Sequence, residues 1–571
     1  MYITMYIHNV YFWLLSFRIS RKLYEITVEW KIERKMEKQD KILYGSPALP
    51  VPKICIGQWI LERLQQNQNR ILQVDAASGE FLKSEDILVK SIKLAEALRF
   101  RGIKAADRVS ISSENHPNWL IPMCATFYLG AVLAPFNPAY AEGEVRNTFE
   151  ISKPSIIFVS RRTEKLISQV VQTLSWTVEL IQLDDEAMST NISTLKSILE
   201  RPGYIPDALA YRAESVPNPN KQEAFILYSS GTTGLSKGVM LSHKNMLTTI
   251  YFLQNKVLRL QGNDTMLLLL PFYHGYGQGM LLTVLLAGVK FVVMNSFQPE
   301  TFLNSIQKYR ITHLPVVPSV MVFLAKHPIV RSYDFSNVKE IICGAASLSQ
   351  DVLEAVTNNT GVKCIRNAYG MTELSIAVCV NSKENKNSMA VGTIAPGMQA
   401  KIVDIETGAV LGRYQHGELC CKGDQVMLGY RGNPKATAET IDADGWLHTG
   451  DVAYYDQDGY IFIVDRLKEL IKYKGFQIAP AELEDILLSH PGVKDAAVIG
   501  KPDELCGEVP LAFVVKQVGY DVSAQEIRQF VDSKLSPQKW LRGGVHFLED
   551  IPKNATGKIL RRELKKLLAK L

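Results

Sequence analysis

The run Tyr228–Gly238, Tyr-Ser-Ser-Gly-Thr-Thr-Gly-Leu-Ser-Lys-Gly, limits what this chain can fold into more than any other stretch. It follows Ala224–Leu227, an apolar run of buried-strand length. It precedes Ser242, a capping residue type, and a segment in which Met246, Leu247, Ile250, Leu253 and Val257 recur at helical spacing. The loop's composition suits phosphate: glycines let backbone N–H groups approach an anion closely, hydroxyls donate, and Lys237 adds charge. An ordinary turn favours the same residues, so the composition alone leaves both readings open. The Walker pattern fails, because Ser236 stands five residues after Gly231, where that pattern has glycine.

At 571 residues the chain exceeds a single core, so two or more domains are expected. Met266–Leu270, Met280–Ala287 and Phe291–Met294 read as strand, helix, strand, and Tyr128–Asn137 carries Gly130 and Pro135 where a helix meets a strand. Such alternation predicts mixed α/β layering rather than a bundle or a sandwich. Pro271, His274, Gln278 and glycines interrupt the longest apolar interval, which makes it core and not a membrane span. After Phe462-Ile463-Val464, the segment Asp465-Arg466-Leu467-Lys468 sets three charges behind a strand. Roughly a hundred residues remain, enough for a small separate domain. The expected division is 1–35 as a dispensable extension, 36–464 as a large domain, 465–468 as a hinge and 469–571 as a small mobile domain.

Hydrophobic and charged contents of 47% and 21% are those of a globular protein. The 64 basic and 58 acidic residues leave +6 without any basic tract, so nucleic acid is not an implied partner, while anionic small molecules remain compatible. Eight cysteines, without C-x-x-C spacing or nearby paired histidines, suggest buried thiols in a reducing compartment rather than a zinc site or a disulfide framework. Near the N-terminus, Val10–Phe17 is apolar but too short to span a bilayer. A dispensable extension ahead of Met36, an interfacial anchor and a weak targeting segment are its three readings.

Several motifs are weak alone. Tyr369-Gly370-Met371-Thr372-Glu373 can be a strand end turning on glycine, His274 a hydrogen-bonded core histidine, Asp451 a solvated turn residue, and the C-terminal lysines a solvated face. Together and in order, from about Leu43 onward, they resemble the adenylate-forming superfamily of acyl-CoA synthetases, 4-coumarate–CoA ligases and beetle luciferases. The resemblance implies a large N-terminal adenylation domain of mixed α/β structure with a small mobile C-terminal α+β domain. It implies ATP binding by Ser229, Ser230, Gly231, Thr232, Thr233, Gly234 and Lys237, by Gly344, Ala345 and Ala346 beside adenine, by Tyr369, Gly370 and Thr372, and by Asp451 and Arg466 at the ribose. Glu373 is the implied Mg²⁺ ligand and Lys558 the adenylation lysine, acting with Thr372 and His274 as the catalytic residues. His274, Tyr276, Thr249 and Ile376 map to the acid pocket, Lys472 and Gly475 to the CoA half-reaction, and Asp465 and Lys468 to the hinge.

Phe462–Gly475, Lys501-Pro502-Asp503 and Leu541-Arg542-Gly543-Gly544 most resemble insect luciferase-like acyl-CoA synthetases. Thr249 departs from the arginine of true luciferases, and Ile376 from a small hydroxyl residue. The expectation is therefore an ATP-, Mg²⁺- and CoA-dependent ligase for a medium- or long-chain fatty acid. A 4-coumarate-type ligase, a luciferase-type monooxygenase and a non-catalytic nucleotide-binding relative are the alternatives, and intact Thr372, Glu373, Asp451 and Lys558 argue against the last. Ala569-Lys570-Leu571 resembles the Ser-Lys-Leu peroxisomal address and implies the import receptor as a partner, against a chance Lys-Leu ending and a cytoplasmic location.

Overall fold

The structure is a computed structural model that describes residues 41–186, 188–189, 191–201, 207–229, 236–344, 350–383, 385, 387–474, 476–554 and 557–570. Residues 1–35, Met36 and Leu571 of the terminal tripeptide lie outside these.

Three sheets build the N-terminal part. The first has eight strands in the order Gly429–Tyr430, Lys237–Ser242, Glu223–Ser229, Val132–Leu133, Arg108–Ser112, Ile156–Val159, Glu179–Gln182 and Ser193–Thr194. It is parallel from Glu223–Ser229 outward. The second, of nine strands, runs Thr393–Ile394, Cys379–Val380, Ile365–Tyr369, Glu340–Cys343, His313–Val316, Thr265–Leu268, Lys290–Val293, Ile71–Asp75 and Phe81–Lys83. The third is antiparallel throughout: Ile42–Tyr44, Gln399–Val403, Gly417–Lys422, Leu447–Tyr455 and Ile461–Arg466.

The helix Gly275–Ala287 is apolar on all sides and almost wholly buried, as such a helix must be. It shares one core with the helices Ile56–Gln66 and Leu120–Tyr128 and with strand residues such as Phe225 and Phe291. The expected strand, helix and strand over Met266–Met294 appear as Thr265–Leu268, Gly275–Ala287 and Lys290–Val293.

Around the glycine-rich loop the structure adds detail. A strand, Lys237–Ser242, precedes the helix and pairs antiparallel with Glu223–Ser229, so Lys237 faces Ser229. Ser242 does cap the helix His243–Phe252: its hydroxyl accepts from Asn245 N at 3.0 Å, and Asn245 Oδ1 accepts from Ser242 N at 2.8 Å. Leu253 and Val257, expected on that helix, fall in a π-helical turn, Leu253–Leu258.

The C-terminal part has its own five-stranded sheet and its own core, with Leu483, Leu487, Val498, Val514 and Ile527 inside. The strand expected to end at Val464 continues to Arg466, because Asp465 and Arg466 still pair with Val452 and Asp451. A turn over 467–469 follows, with Glu469 N donating to Arg466 O at 2.9 Å. Lys326, at the end of the helix Pro318–Lys326, clasps the C-terminal part by donating to Val493 O at 2.6 Å and Leu488 O at 3.2 Å. No helix among the described residues is long and apolar enough to cross a membrane. The eight cysteines are free, six of them buried.

Candidate active site

The strand Ile365–Tyr369 delivers Tyr369 to the junction between the second and third sheets. There the Tyr369 hydroxyl donates to Asp451 Oδ2 at 2.7 Å, and Arg466 Nε lies 3.2 Å from Asp451 Oδ1. Burial pushes the Asp451 carboxyl up, while the guanidinium and the phenol pull it back down. Asp451 and Arg466 meet because they are register partners on neighbouring strands. Gly370 permits the next turn: a Cβ there would lie 1.8 Å from Ile376 O.

Beyond it Glu373 is buried, its Oε1 accepting from Tyr430 OH at 2.9 Å. The Lys237 ammonium sits 4.7 Å from the centre of the same Tyr430 ring, which links the glycine-rich loop to this carboxylate. Of the remaining residues of the glycine-rich run, Ser229 ends its strand opposite Lys237. Ser230, Gly231, Thr232, Thr233, Gly234, Ala345, Ala346 and Gly475 lie outside the described residues.

His274 caps the helix Gly275–Ala287, and its Nδ1 accepts from Tyr276 N at 3.3 Å. Burial, with Lys558 nearby, lowers His274 to about 4, so the ring is neutral at pH 7 and its proton sits on Nε2. Lys558 comes from the C-terminal part. Burial and then Arg466 lower it to about 8, against the pull of Glu469 and Asp451. Its loop rests on the helix Pro318–Lys326: a Cβ on Gly557 would lie 2.9 Å from Ser319 Oγ. His274, Lys558, Asp451, Arg466, Tyr369 and Glu373 thus form one electrostatic neighbourhood.

On the helix side, the Tyr276 hydroxyl donates to Ile342 O at 3.1 Å, and its ring edge lies 3.3 Å from where a Gly344 Cβ would stand. Ile376 has φ +89°, a strained conformation for a β-branched residue, and its Cδ1 lies 2.6 Å from the position of a Gly279 Cβ. A Cβ on Gly275 would meet Ile376 Cγ1 at 3.3 Å and Thr372 Oγ1 at 3.9 Å, so the isoleucine and the threonine face one glycine. Thr249 is fully buried and its hydroxyl accepts from Gln425 Nε2 at 2.7 Å. Lys472 is exposed on the strand Ile471–Tyr473, and Lys468 lies in the turn after Arg466.

Sequence reasoning missed Tyr430, Lys326 and Gln425. Tyr430 reaches Glu373 through the pairing of Gly429–Tyr430 with Lys237–Ser242, for which no local pattern gives a signal.

A multi-sheet N-terminal part and a small C-terminal part that meet over a buried Tyr–Asp–Arg chain, a carboxylate and a lysine have the layout of the adenylate-forming enzyme fold. The chain belongs to the AMP-binding enzyme family, whose profile matches residues 63–431, with the family's C-terminal domain matching residues 482–558. It is 39% identical over 540 residues to luciferin 4-monooxygenase from Photuris pensylvanica, covering 93% of this chain and 99% of that protein. Against 4-coumarate–CoA ligase from Vanilla planifolia it is 36% identical over 546 residues, with coverages of 93% and 97%. ATP-bound MatB from Rhodopseudomonas palustris superposes with a TM-score of 0.79 at 27% identity, over 90% of this chain and 99% of that one. These relatives make it a homologue of luciferases and of acid–CoA ligases, with ATP and CoA the substrates expected of the ligase family.

Proposed function

We propose that this enzyme joins a medium- or long-chain fatty acid to CoA at the expense of ATP. The observation that carries the reading is Ile376: its side chain stands against Gly275 and Gly279, on the side of the site where His274 and Tyr276 begin the buried helix. The Ile376 side chain makes this wall apolar, and Thr249 spends its hydroxyl on Gln425. An alkyl chain gains about 0.8 kcal/mol for each methylene it buries there.

In the first step the acid's carboxylate oxygen attacks the α-phosphorus of ATP, the bond to the β-phosphate bridge breaks, and pyrophosphate leaves. Tyr369 lies along the base and Asp451 accepts from the ribose hydroxyls, held by Arg466. Lys558 and Thr372 contact the charge that builds on the α-phosphate, and the Nε2–H of neutral His274 is available to the acid's carboxylate. Glu373, a buried carboxylate whose Oε1 accepts from Tyr430, fits a hard divalent cation, and Mg²⁺ held there would neutralise charge on the triphosphate. In the second step the CoA thiolate attacks the acyl carbonyl carbon and AMP departs. The C-terminal part turns between the steps about 465–468, exchanging Lys558 for the face that bears Lys472 and Gly475. Peroxisomal delivery through Ala569-Lys570-Leu571 belongs to the same proposal.

A second reading, an aromatic-acid ligase, is favoured by the 36% identity to 4-coumarate–CoA ligase. CoA-dependent AMP formation measured across fatty, cinnamic and luciferin acids, with light recorded in parallel, separates the two. Higher kcat/KM for lauric or oleic acid than for coumarate, with little light from luciferin, is the expected result. A clear preference for coumarate overturns the proposal, and bright emission puts the monooxygenase first.

A further inference from the structure

Away from the nucleotide neighbourhood, the third sheet brings a thiol, an imidazole and a carboxylate to one point. Gly417–Lys422 and Leu447–Tyr455 are antiparallel neighbours in which Cys420 stands opposite His448, with a register irregularity between Glu418 and Cys420. His448 Nδ1 lies 2.8 Å from Glu418 Oε2 and 3.4 Å from Cys420 Sγ, and the three ligand atoms are all within 4.8 Å of one another. A tetrahedral zinc ion, with Zn–S of about 2.3 Å and Zn–N and Zn–O of about 2.0–2.1 Å, spaces its ligand atoms roughly 3.3–3.6 Å apart. Small side-chain adjustments close this triangle on one ion.

Hydrogen bonding alone serves the cluster poorly. With a proton on Nδ1, the ring donates to Glu418 and the Cys420 S–H finds no lone pair there; with Nδ1 bare, the lone pair that accepts from Cys420 also faces a carboxylate oxygen. A cation accepts all three groups at once. Ligation through Nδ1 leaves Nε2–H directed at Asp442, whose Oδ2 is 3.6 Å away, and such an outer carboxylate is the usual partner of a metal-bound histidine. One sulfur, one nitrogen and one oxygen ligand suit a borderline cation, not Mg²⁺ or Ca²⁺. Cys420 is fully buried, while Glu418 and His448 are partly exposed and leave room for a water as the fourth ligand. Ligation by the buried Cys420 expels its thiol proton to solvent.

We propose that Glu418, Cys420 and His448 form a binding site for Zn²⁺ or a similar borderline divalent cation. The site sits next to the nucleotide carboxylate in the chain. Glu418 Oε1 accepts from Gly450 N at 3.0 Å, and Thr449 Oγ1 donates to Leu419 O at 2.7 Å, so the cluster's own strand holds the two residues before Asp451. Cation occupancy therefore changes ATP affinity. Spacing in the sequence hid this site because its ligands, 28 and 30 residues apart, meet only through strand register.

The test titrates Co²⁺ into the full-length enzyme without ATP or Mg²⁺ and follows thiolate-to-cobalt charge-transfer absorption. One equivalent bound with that band, and its loss on adding Zn²⁺, is expected. Cys420→Ser abolishes the band and His448→Gln weakens binding at least tenfold, whereas Cys364→Ser and Cys506→Ser, which alter the two less buried thiols, retain both. Wild-type protein without the band at one equivalent, or a band that survives Cys420→Ser, overturns the site. Should Cys420→Ser not fold, undiminished Co²⁺ affinity in His448→Gln overturns it equally. An ATP Kd that differs at least threefold between zinc-loaded and zinc-free enzyme is the coupled result; equal values refute the coupling.

Discussion

Raising the pH through 8 tests the proposed role of Lys558 directly. Burial and Arg466 hold this lysine at about 8 rather than 10.5. Near pH 7 roughly nine-tenths of it is charged and near pH 9 roughly one-tenth, since each unit beyond a pKa costs a factor of about ten in the charged form. Acyl-adenylate formation that needs the ammonium falls about tenfold per unit above pH 8. The fall appears in kcat/KM for ATP, which reports the free enzyme. It moves to higher pH in kcat, because bound phosphates favour the charged lysine. The assay is pyrophosphate release in the first turnover with a saturating fatty acid and no CoA. Lys558→Arg keeps its charge and flattens this alkaline limb, while Lys558→Ala loses about 10²–10³ in rate, by analogy with other transition-state donors, and also lacks the limb. A wild-type profile that stays flat to about pH 9.5, or an alanine variant that keeps the alkaline limb, refutes the reasoning.

Asp485 is pushed up to about 7, first by burial and then by Asp351 and Glu482, so the folded state holds its proton where the unfolded chain does not. Stability from this group falls as pH rises from about 4 to 7, and Asp485→Asn should stabilise the fold more at pH 8 than at pH 5, by about 1–2 kcal/mol after solvent screening, read as a larger gain in Tm at the higher pH. Ile376→Gly relieves about 1–3 kcal/mol of backbone strain against a similar loss of buried surface, so Tm should change little while kcat/KM for aromatic acids improves relative to fatty acids. An unchanged ratio of acids would remove Ile376 from the pocket wall. Lys326→Met forfeits charged hydrogen bonds to Val493 and Leu488 worth about 1–3 kcal/mol in this setting, and should speed proteolysis near 467–469 while slowing adenylation. Wild-type cleavage and wild-type rate together would show that this clasp does not hold the C-terminal part in place.

What the sequence made legible was local. Ala224–Leu227, the Ser242 cap and the strand–helix–strand around Gly275–Ala287 each carry their signal within a few residues. The chain order of the site motifs was equally plain, because Tyr369, Asp451 and Lys558 sit in distinctive short runs. Register was not legible. The strand Lys237–Ser242 exists by pairing with Glu223–Ser229 on one side and Gly429–Tyr430 on the other, and the latter pairing, with Met427 N donating to Glu373 O at 2.9 Å, brings Tyr430 to Glu373. The strand Ile461–Arg466 outruns its apolar residues because Asp465 and Arg466 still find partners in Val452 and Asp451. Likewise Leu253 and Val257 keep helical spacing, and both are buried, yet the backbone there is π-helical.

Arg466 ends the third sheet, and its carbonyl accepts from both Glu469 N and Leu470 N while its side chain holds Asp451. The residue that steadies Asp451, the carboxylate proposed for the ribose, is thus also the anchor of the turn into the C-terminal part. If the C-terminal part turns as proposed, nucleotide occupancy and its orientation are two readouts of one equilibrium. Whatever factor the docked orientation adds to ATP affinity, ATP must add to docking, and a tenfold effect in one is about 1.4 kcal/mol in the other. A variant that alters domain orientation without touching the nucleotide will therefore still register in a binding isotherm.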